Sequence, residues 1–344
     1  MDQLIPSLTN LLLPLAGAFR IEAFGMFQLI VGAWIVCLGR RTISRVWETT
    51  GHALIRNHAA AFRLYSEAAW NWDEVCRIHL LSIVATLIPG MDIWVVVDDT
   101  LCHKRGMKVA FGGIFLDAVL STKRHKVFRF GNNWVLLGIV IQLPFRKDRY
   151  ICLPALWRVY EKRGSKVRSD HRTKSQLGAE IVNQFARWFP AYKIVVVADC
   201  AYVGKYLLQG REANVEVIGP IRWNASLTMP VDTRVHPRRK KGDRLPTPAR
   251  MLTDDRRYLG EEIDVTFPNR NRRLLVKVVK NVCWYEAAGS KPVQVVLVGD
   301  PAGEWRNEAL VSTDQTRLLQ FSMTLCWGAG CRHEPPRRRP LWAC

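Results

Sequence analysis

Two short runs constrain this chain more than anything else in it. WVVVDDT covers Trp94–Thr100 and KIVVVADC covers Lys193–Cys200. Each is a continuous apolar stretch of strand length that ends abruptly in acid. A strand buried on both faces needs such a run, because both sets of alternating side chains meet protein. The acid is then expected where the strand leaves the sheet. If the two strands are parallel neighbours, their ends lie about 4.8 Å apart, and Asp99 and Asp199 face one another at the carboxyl edge. Two anions that close repel unless a cation lies between them. Clustered hard oxygens suit Mg²⁺, with Mn²⁺ as its substitute. Carboxylates on adjacent strand ends can hold two metals about 3.5–4 Å apart, an arrangement that serves in-line phosphoryl transfer. Either run alone also reads as a plain strand whose terminal aspartate caps a turn.

The charge balance bears on that choice. The 344 residues include 50 Lys and Arg against 30 Asp and Glu, a net charge of +20. Such an excess favours a polyanionic partner, nucleic acid first and an anionic membrane surface second. The membrane reading rests on Phe24–Gly39, FGMFQLIVGAWIVCLG. This stretch falls short of the roughly 20 residues a spanning helix needs, and it is read as a buried core helix. The first ten residues, MDQLIPSLTN, do not have the basic start of a secretory signal. The 9 cysteines are scattered without a disulfide framework, which points to a reducing cytoplasm. Cys326, Cys331 and His333 are spaced unlike a zinc site and have no evident fourth ligand.

Along the chain, residues 1–88 read as a helical amino-terminal domain and a DNA-binding candidate, with apolar faces in Leu11–Phe19, Phe24–Leu38 and Ile78–Leu87. GRRTISRVWETTG, Gly39–Gly51, reads either as the front of a helix-turn-helix or as a solvated surface helix. Residues 89–212 read as the first part of an α/β core. Strands are expected at Trp94–Val97, Lys108–Phe115, Trp134–Leu143 and Ile151–Tyr160. A helix opened by Thr173 follows over Lys174–Trp188, then a strand at Lys193–Ala198 and a short helix over 201–212. Residues 213–300 read as a basic, β-rich insertion with strands at Val215–Ile218, Arg273–Val279 and Val293–Val298. Within it Arg234–Arg244 is an exposed cationic loop. Residues 301–326 read as the start of a closing helix, with VSTDQTRLLQ as a capped beginning, and 327–344 as an irregular tail.

Several stretches together resemble the DDE transposases of bacterial insertion sequences, in the branch with a β-rich insertion. They are CLGRRTISRVW, WVVVDDTLCHKRGMKVAFGG, WVLLGIVIQLPF, HRTKSQLGAEIV, VVVADCAYVGK, KKGDRLPTP and WYEAAGSKPVQVVLVGDPAGEWRNEALVSTD, within residues 35–315. The resemblance implies a ribonuclease H-like mixed sheet and Mg²⁺-dependent cleavage and strand transfer at terminal inverted repeats. It also implies a homodimer on double-stranded DNA, joining the element to target DNA. By the same resemblance the first catalytic acid is Asp99, directly before Thr100, with Asp98 as a supporting neighbour, and the second is Asp199.

The third acid departs from the family pattern. That pattern places a helix with Tyr-x2-Arg-x3-Glu about twenty residues past the position of Asp314, but this chain reads CWGAGCRHEPP there. Glu334 stands near the expected distance, yet Pro335 and Pro336 follow it and would stop a helix. The expectation is a truncated or frameshifted product in which catalysis is incomplete. Asp314 and Glu308 lie nearby but do not match the motif. Rival readings are a non-catalytic DNA-binding remnant, another two-metal nuclease on the same fold, and a peripheral membrane protein. Candidate DNA contacts are Arg40, Arg41 and Arg45, then His103, Lys104 and Arg105 after the first acid. Arg238, Arg239, Lys240, Lys241 and Arg244 form a further basic cluster. Against each stands a solvated basic face. His171 and Arg172 open the helix before the second acidic strand, in a capping or a phosphate-binding role.

Overall fold

A computed structural model describes residues 4–52, 57–88, 90–106, 108–122, 124–164, 170–231, 238–267, 270–304 and 306–316. The chain divides into two compact units, Met1–Thr86 and Leu87–Cys344. The first is built from α1 (Leu4–Leu12), α2 (Ile21–Val36), α3 (Ile43–Thr49), α4 (Ala59–Ser66) and the greater part of α5 (Trp72–Leu87). Its core joins Ile30 and Ala33 of α2 to Val46 and Trp47 of α3 and Ala61 and Leu64 of α4. A second cluster is aromatic, with Phe19 stacked on Phe27 at 4.6 Å and on Trp70 at 4.9 Å. The apolar stretch from Phe24 thus forms a helix with a buried stripe, while Ile35 and Val36 at its end are exposed. Among the described residues, no helix is long and apolar enough to cross a membrane.

The second unit carries one mixed sheet. Its strands are β1 (Asp92–His103), β2 (Gly113–Leu116), β3 (Phe128–Leu143), β4 (Arg146–Tyr160) and β5 (Lys193–Ala198), followed by β6 (Val215–Pro220), β7 (Gly260–Phe267), β8 (Arg270–Cys283), β9 (Pro292–Gly299) and β10 (Glu308–Ser312). Among the described residues, the helices α6 (Lys174–Trp188), α7 (Lys205–Gln209) and α8 (Pro248–Thr253) interrupt them. The spatial order is β2-β3-β1-β5-β6-β10-β9-β8-β7, with β4 also paired to β3. The pairs β1–β5 and β5–β6 are parallel and the others antiparallel. An antiparallel meander β1-β3-β4, then a helix, then two parallel strands beside β1 is the ribonuclease H-like arrangement. The β-rich insertion does not form a separate layer. It leaves after β6 and returns as β10, so that β7–β10 extend the same sheet.

α6 closes one face. Thr173 caps it by accepting from the Gln176 amide, and Gln176 reaches back to the Thr173 amide, a reciprocal capping box. Leu177, Ile181, Val182, Phe185 and Ala186 are buried at helical spacing. Val96, Val195, Val197, Ile218, Val296, Val298 and Leu310 form a core on the other face. Both sides of the central strands are therefore apolar, which explains their unbroken valine runs.

The structure differs from the sequence reading in several places. β1 does not stop at its acids. It runs on to His103 because the long β3 continues to pair with it, up to His103 opposite Gly131. Of the expected strand 108–115 only Gly113–Phe115 is extended, within β2; Gly112 instead donates to the Val109 carbonyl in a tight turn. The helix in 201–212 covers only Lys205–Gln209. β7 and β10 are additional strands. Val311 and Ser312, expected to begin a helix, end β10 instead. Everything proposed beyond Thr316, including Glu334, Cys326, Cys331 and His333, lies outside the described residues.

Lys193 ties the amino ends of β5 and β6 to the segment after β10, through Glu216 and Asp314 (3.2 Å). Asp314 also accepts from the Thr316 amide at 2.8 Å and hydroxyl at 2.7 Å. Burial pushes this carboxyl up, but the Thr316 bonds and the Lys193 ammonium outweigh burial and hold it well below its usual range. A carboxyl depressed by folding stabilises the fold above its unfolded pKa of about 3.9, and that contribution is lost as pH falls towards the folded value. Asp314→Asn is therefore expected to lower stability in urea unfolding at pH 6, with the gap to wild type narrowing as pH falls below about 4.

Candidate active site

The register of β1 against β5 sets the site. Val97 lies opposite Ala198, so one step further Asp98 is level with Asp199, and Asp99 is a residue beyond. Alternation then sends Asp98 and Asp99 to opposite faces. Asp98 follows Val96 onto the face away from α6, where it borders a small cleft with Leu136, Gly138, Cys152 and Pro154. Asp99 follows Val97 towards α6. The two runs are parallel neighbours, as expected, but Asp98 and not Asp99 is level with Asp199, because Asp99 lies one residue further on and turns to the α6 face.

Both oxygens of Asp99 are engaged. Oδ2 accepts from Lys174 Nζ at 2.6 Å and Oδ1 from the Tyr202 hydroxyl at 3.0 Å. Lys174 is the first residue of α6, and its ammonium also lies 5.7 Å from the centre of the Tyr160 ring. Tyr202 is buried against Gly178 of α6 and follows Asp199 in a turn, with its amide donating to the Asp199 carbonyl at 2.9 Å. Asp199 itself is exposed; its Oδ1 accepts from the Ala201 amide at 2.8 Å.

The electrostatics follow from this crowding. Burial, then the charges of Asp99 and Asp199, push Asp98 up to about 7, against the opposing pull of the Asp99 amide and Lys174. Burial and the Asp99 carboxylate push the Tyr202 phenol far above its usual range, so it stays a donor. Partial burial and the Asp199 carboxylate push Cys200 up to about 11, which leaves it a thiol and a poor metal ligand at neutral pH.

A divalent cation suits these residues by chemistry. All the ligating atoms are hard carboxylate oxygens, and a cation, the Lys174 ammonium, already sits on Asp99. The ligand set is incomplete, however. Among the described residues, no three His, Cys, Asp or Glu side chains are grouped to hold a metal ion. Glu308 opens β10 at the same edge, with β6 between it and β5. Asp314 lies at the opposite edge, beside the start of β5.

The basic candidates are spread out. His103 is four residues past Asp99, about 13 Å along an extended strand, and its Nε2 is held 2.6 Å from buried Asp117 Oδ2. Lys104 and Arg105 are exposed beyond it. Arg40, Arg41 and Arg45 are exposed in the amino-terminal unit, flanking the Thr42 cap of α3. Arg238, Arg239, Lys240, Lys241 and Arg244 are exposed too, but Arg244 pairs with Thr228, which pairs with Cys283 at the end of β8. That end lies at the edge of Asp314, since the Asn281 amide donates to Gln315. The densest basic turn is thus anchored at the edge away from Asp199. Arg172 is spent on Glu180, which it shares with Arg158 of β4. Sequence reasoning did not single out Lys174 or Tyr202 as partners of Asp99. Their partner lies 75 and 103 residues away, and the cue available was a lysine in the first turn of a helix, where the dipole disfavours a cation.

A family model described as DDE superfamily endonuclease matches residues 14–289. The chain belongs to this family. Membership brings nuclease chemistry on DNA, and nucleases of the DDE superfamily generally use divalent metals. No curated protein matches the chain. The matched segment includes both acid-ended strands of this DDE endonuclease.

Gly178 fixes Tyr202 in place. A Cβ there would stand 2.6 Å from Cδ1 and 3.0 Å from Cε1 of the Tyr202 ring, and 3.4 Å from Val97. Gly178→Ala is expected to cost about 1–3 kcal/mol by overpacking and to move the phenol off Asp99. Denaturant unfolding reads the first effect, and unchanged stability would show that the ring yields freely.

Proposed function

We propose that this DDE endonuclease is the transposase of an insertion sequence, which cleaves DNA at terminal inverted repeats and transfers the freed 3′ ends to target DNA. The observation that carries the proposal is the pairing of β1 with β5, which gathers Asp99, Asp98 and Asp199 at one edge in a chain of net charge +20. Asp99 and Asp199 would hold Mg²⁺ or Mn²⁺, with Asp98 beside them. A bound divalent cation supplies Lewis acidity and lowers the pKa of a bound water or hydroxyl. The protein's own part is positional. β1 fixes two acids, the turn after β5 presents the third, and the cationic surface holds the phosphate backbone. Assembly as a homodimer on double-stranded DNA belongs to the same proposal, as do the amino-terminal unit as a DNA-binding domain and a bacterial cytoplasmic setting. The basic residues named above are the proposed contacts.

A second reading differs only in chemistry. Among the described residues, no three His, Cys, Asp or Glu side chains are grouped to hold a metal ion, and a product that binds inverted repeats without cutting them is consistent with that. Strand cleavage of a labelled inverted-repeat end with Mg²⁺ or Mn²⁺ separates the two. The transposase reading expects cleavage that falls at least about a hundredfold in Asp99→Ala and Asp199→Ala, since each removes a group acting on the reacting phosphate. Binding without cleavage in the wild type supports the remnant. Both readings expect affinity to fall steeply with salt, in proportion to the phosphates neutralised.

A further inference from the structure

We propose that Lys174 is a built-in countercation for the acid cluster: it occupies Asp99 while no metal is bound, and a divalent cation must displace it. The inference rests on reading the acids as a metal site. A carboxylate binds a metal through oxygen lone pairs, and Asp99 has Lys174 on one oxygen at 2.6 Å and Tyr202 on the other at 3.0 Å. The phenol is a neutral donor and can stay while the oxygen accepts a second contact. The ammonium differs from the phenol in carrying the same sign of charge as the metal, so the two repel one another on the same carboxylate.

The placement of Lys174 argues against a merely structural ion pair. It is the first residue of α6, a helix with no acid in its first turn. A cation there opposes the helix dipole, so the local preference is for Asp or Glu. The capping box on Thr173 and Gln176 already secures the helix start without it. While on Asp99, Lys174 has a second attractive partner that does not depend on that hydrogen bond. Its ammonium lies over the Tyr160 ring, where a cation keeps an attractive partner after leaving a carboxylate. About a third of its side chain reaches solvent, which leaves a path for the exchange.

The test is Mn²⁺ binding to the full chain without DNA, followed by electron paramagnetic resonance of the free ion. The wild type, Lys174→Met and Asp99→Asn are compared. Displacement predicts that Lys174→Met binds Mn²⁺ at least about tenfold more tightly than wild type, the lower end of what one neighbouring charge does to a carboxylate. Equal or weaker binding by Lys174→Met overturns the proposal and leaves the metal reading intact, because the wild type still binds. Failure of the wild type and Lys174→Met alike to bind overturns both, and so does Mn²⁺ binding that is untouched by Asp99→Asn. A second measurement needs no variant. Acylation of Lys174 by an amine-directed reagent, followed by mass spectrometry, is expected to rise when Mg²⁺ frees the ammonium. Labelling that is unchanged at saturating Mg²⁺ overturns the displacement.

Discussion

Six residue pairs between two parallel strands, Asp92 with Lys193 through Val97 with Ala198, hold this molecule's chemistry in place. Parallel pairing is what lets strands distant in sequence end at the same edge. It also requires both faces of the sheet to be covered. α6 covers one and the core around Val197, Ile218 and Val296 the other. Sliding β5 by one residue would turn its buried set inside out and carry Asp199 away from its level with Asp98. The valine runs therefore do two jobs. They bury the strands, and they fix the register that gathers the acids.

Much of this was legible because it is local. The bounds of α6 and β5 follow from a capping threonine, a helical stripe and an unbroken apolar run, and the structure matches them residue for residue. The adjacency of the two acidic runs stood as a condition in the sequence, and the parallel pairing of β1 with β5 meets it. The parts that were not legible depend on partners far along the chain. β1 was expected to stop at its acids, but strand length depends on the neighbour, and β3 keeps pairing with it to Gly131. β10 is only five residues long, whereas β7, GEEIDVTF, does alternate from Glu262 to Phe267 and was open to being read as a strand. The side-chain pairing of Asp99 with Lys174 and Tyr202 left only a dipole-opposed lysine as a trace.

Charge is distributed over the sheet in a way that composition does not reveal. The acids gather at the carboxyl edge of β1 and β5, while Arg244 of the basic turn is anchored near the amino edge, beside Asp314 and Gln315. Several of the remaining cations are neutralised within the fold. Arg158 and Arg172 share Glu180, and buried Lys277 donates to the Leu252 carbonyl at 2.7 Å and to Asp255 at 2.7 Å, closing the end of α8. The positive total is thus a poor map of where a polyanion would lie. Exposed residues are the better guide, and Lys104 and Arg105, beyond the end of β1, are of this kind.

The extension of β1 beyond its acids restrains the carboxylates unequally. Asp98 and Asp99 sit mid-strand, each registered on β3 opposite Leu136 and Val135. Asp199 follows the last ladder residue of its strand and is steadied by a turn through Ala201 and Tyr202. The edge works like a vice with one fixed jaw and one sliding jaw. Any adjustment of the gap between them has to be made on the β5 side, by a few torsions in the Asp199–Tyr202 turn.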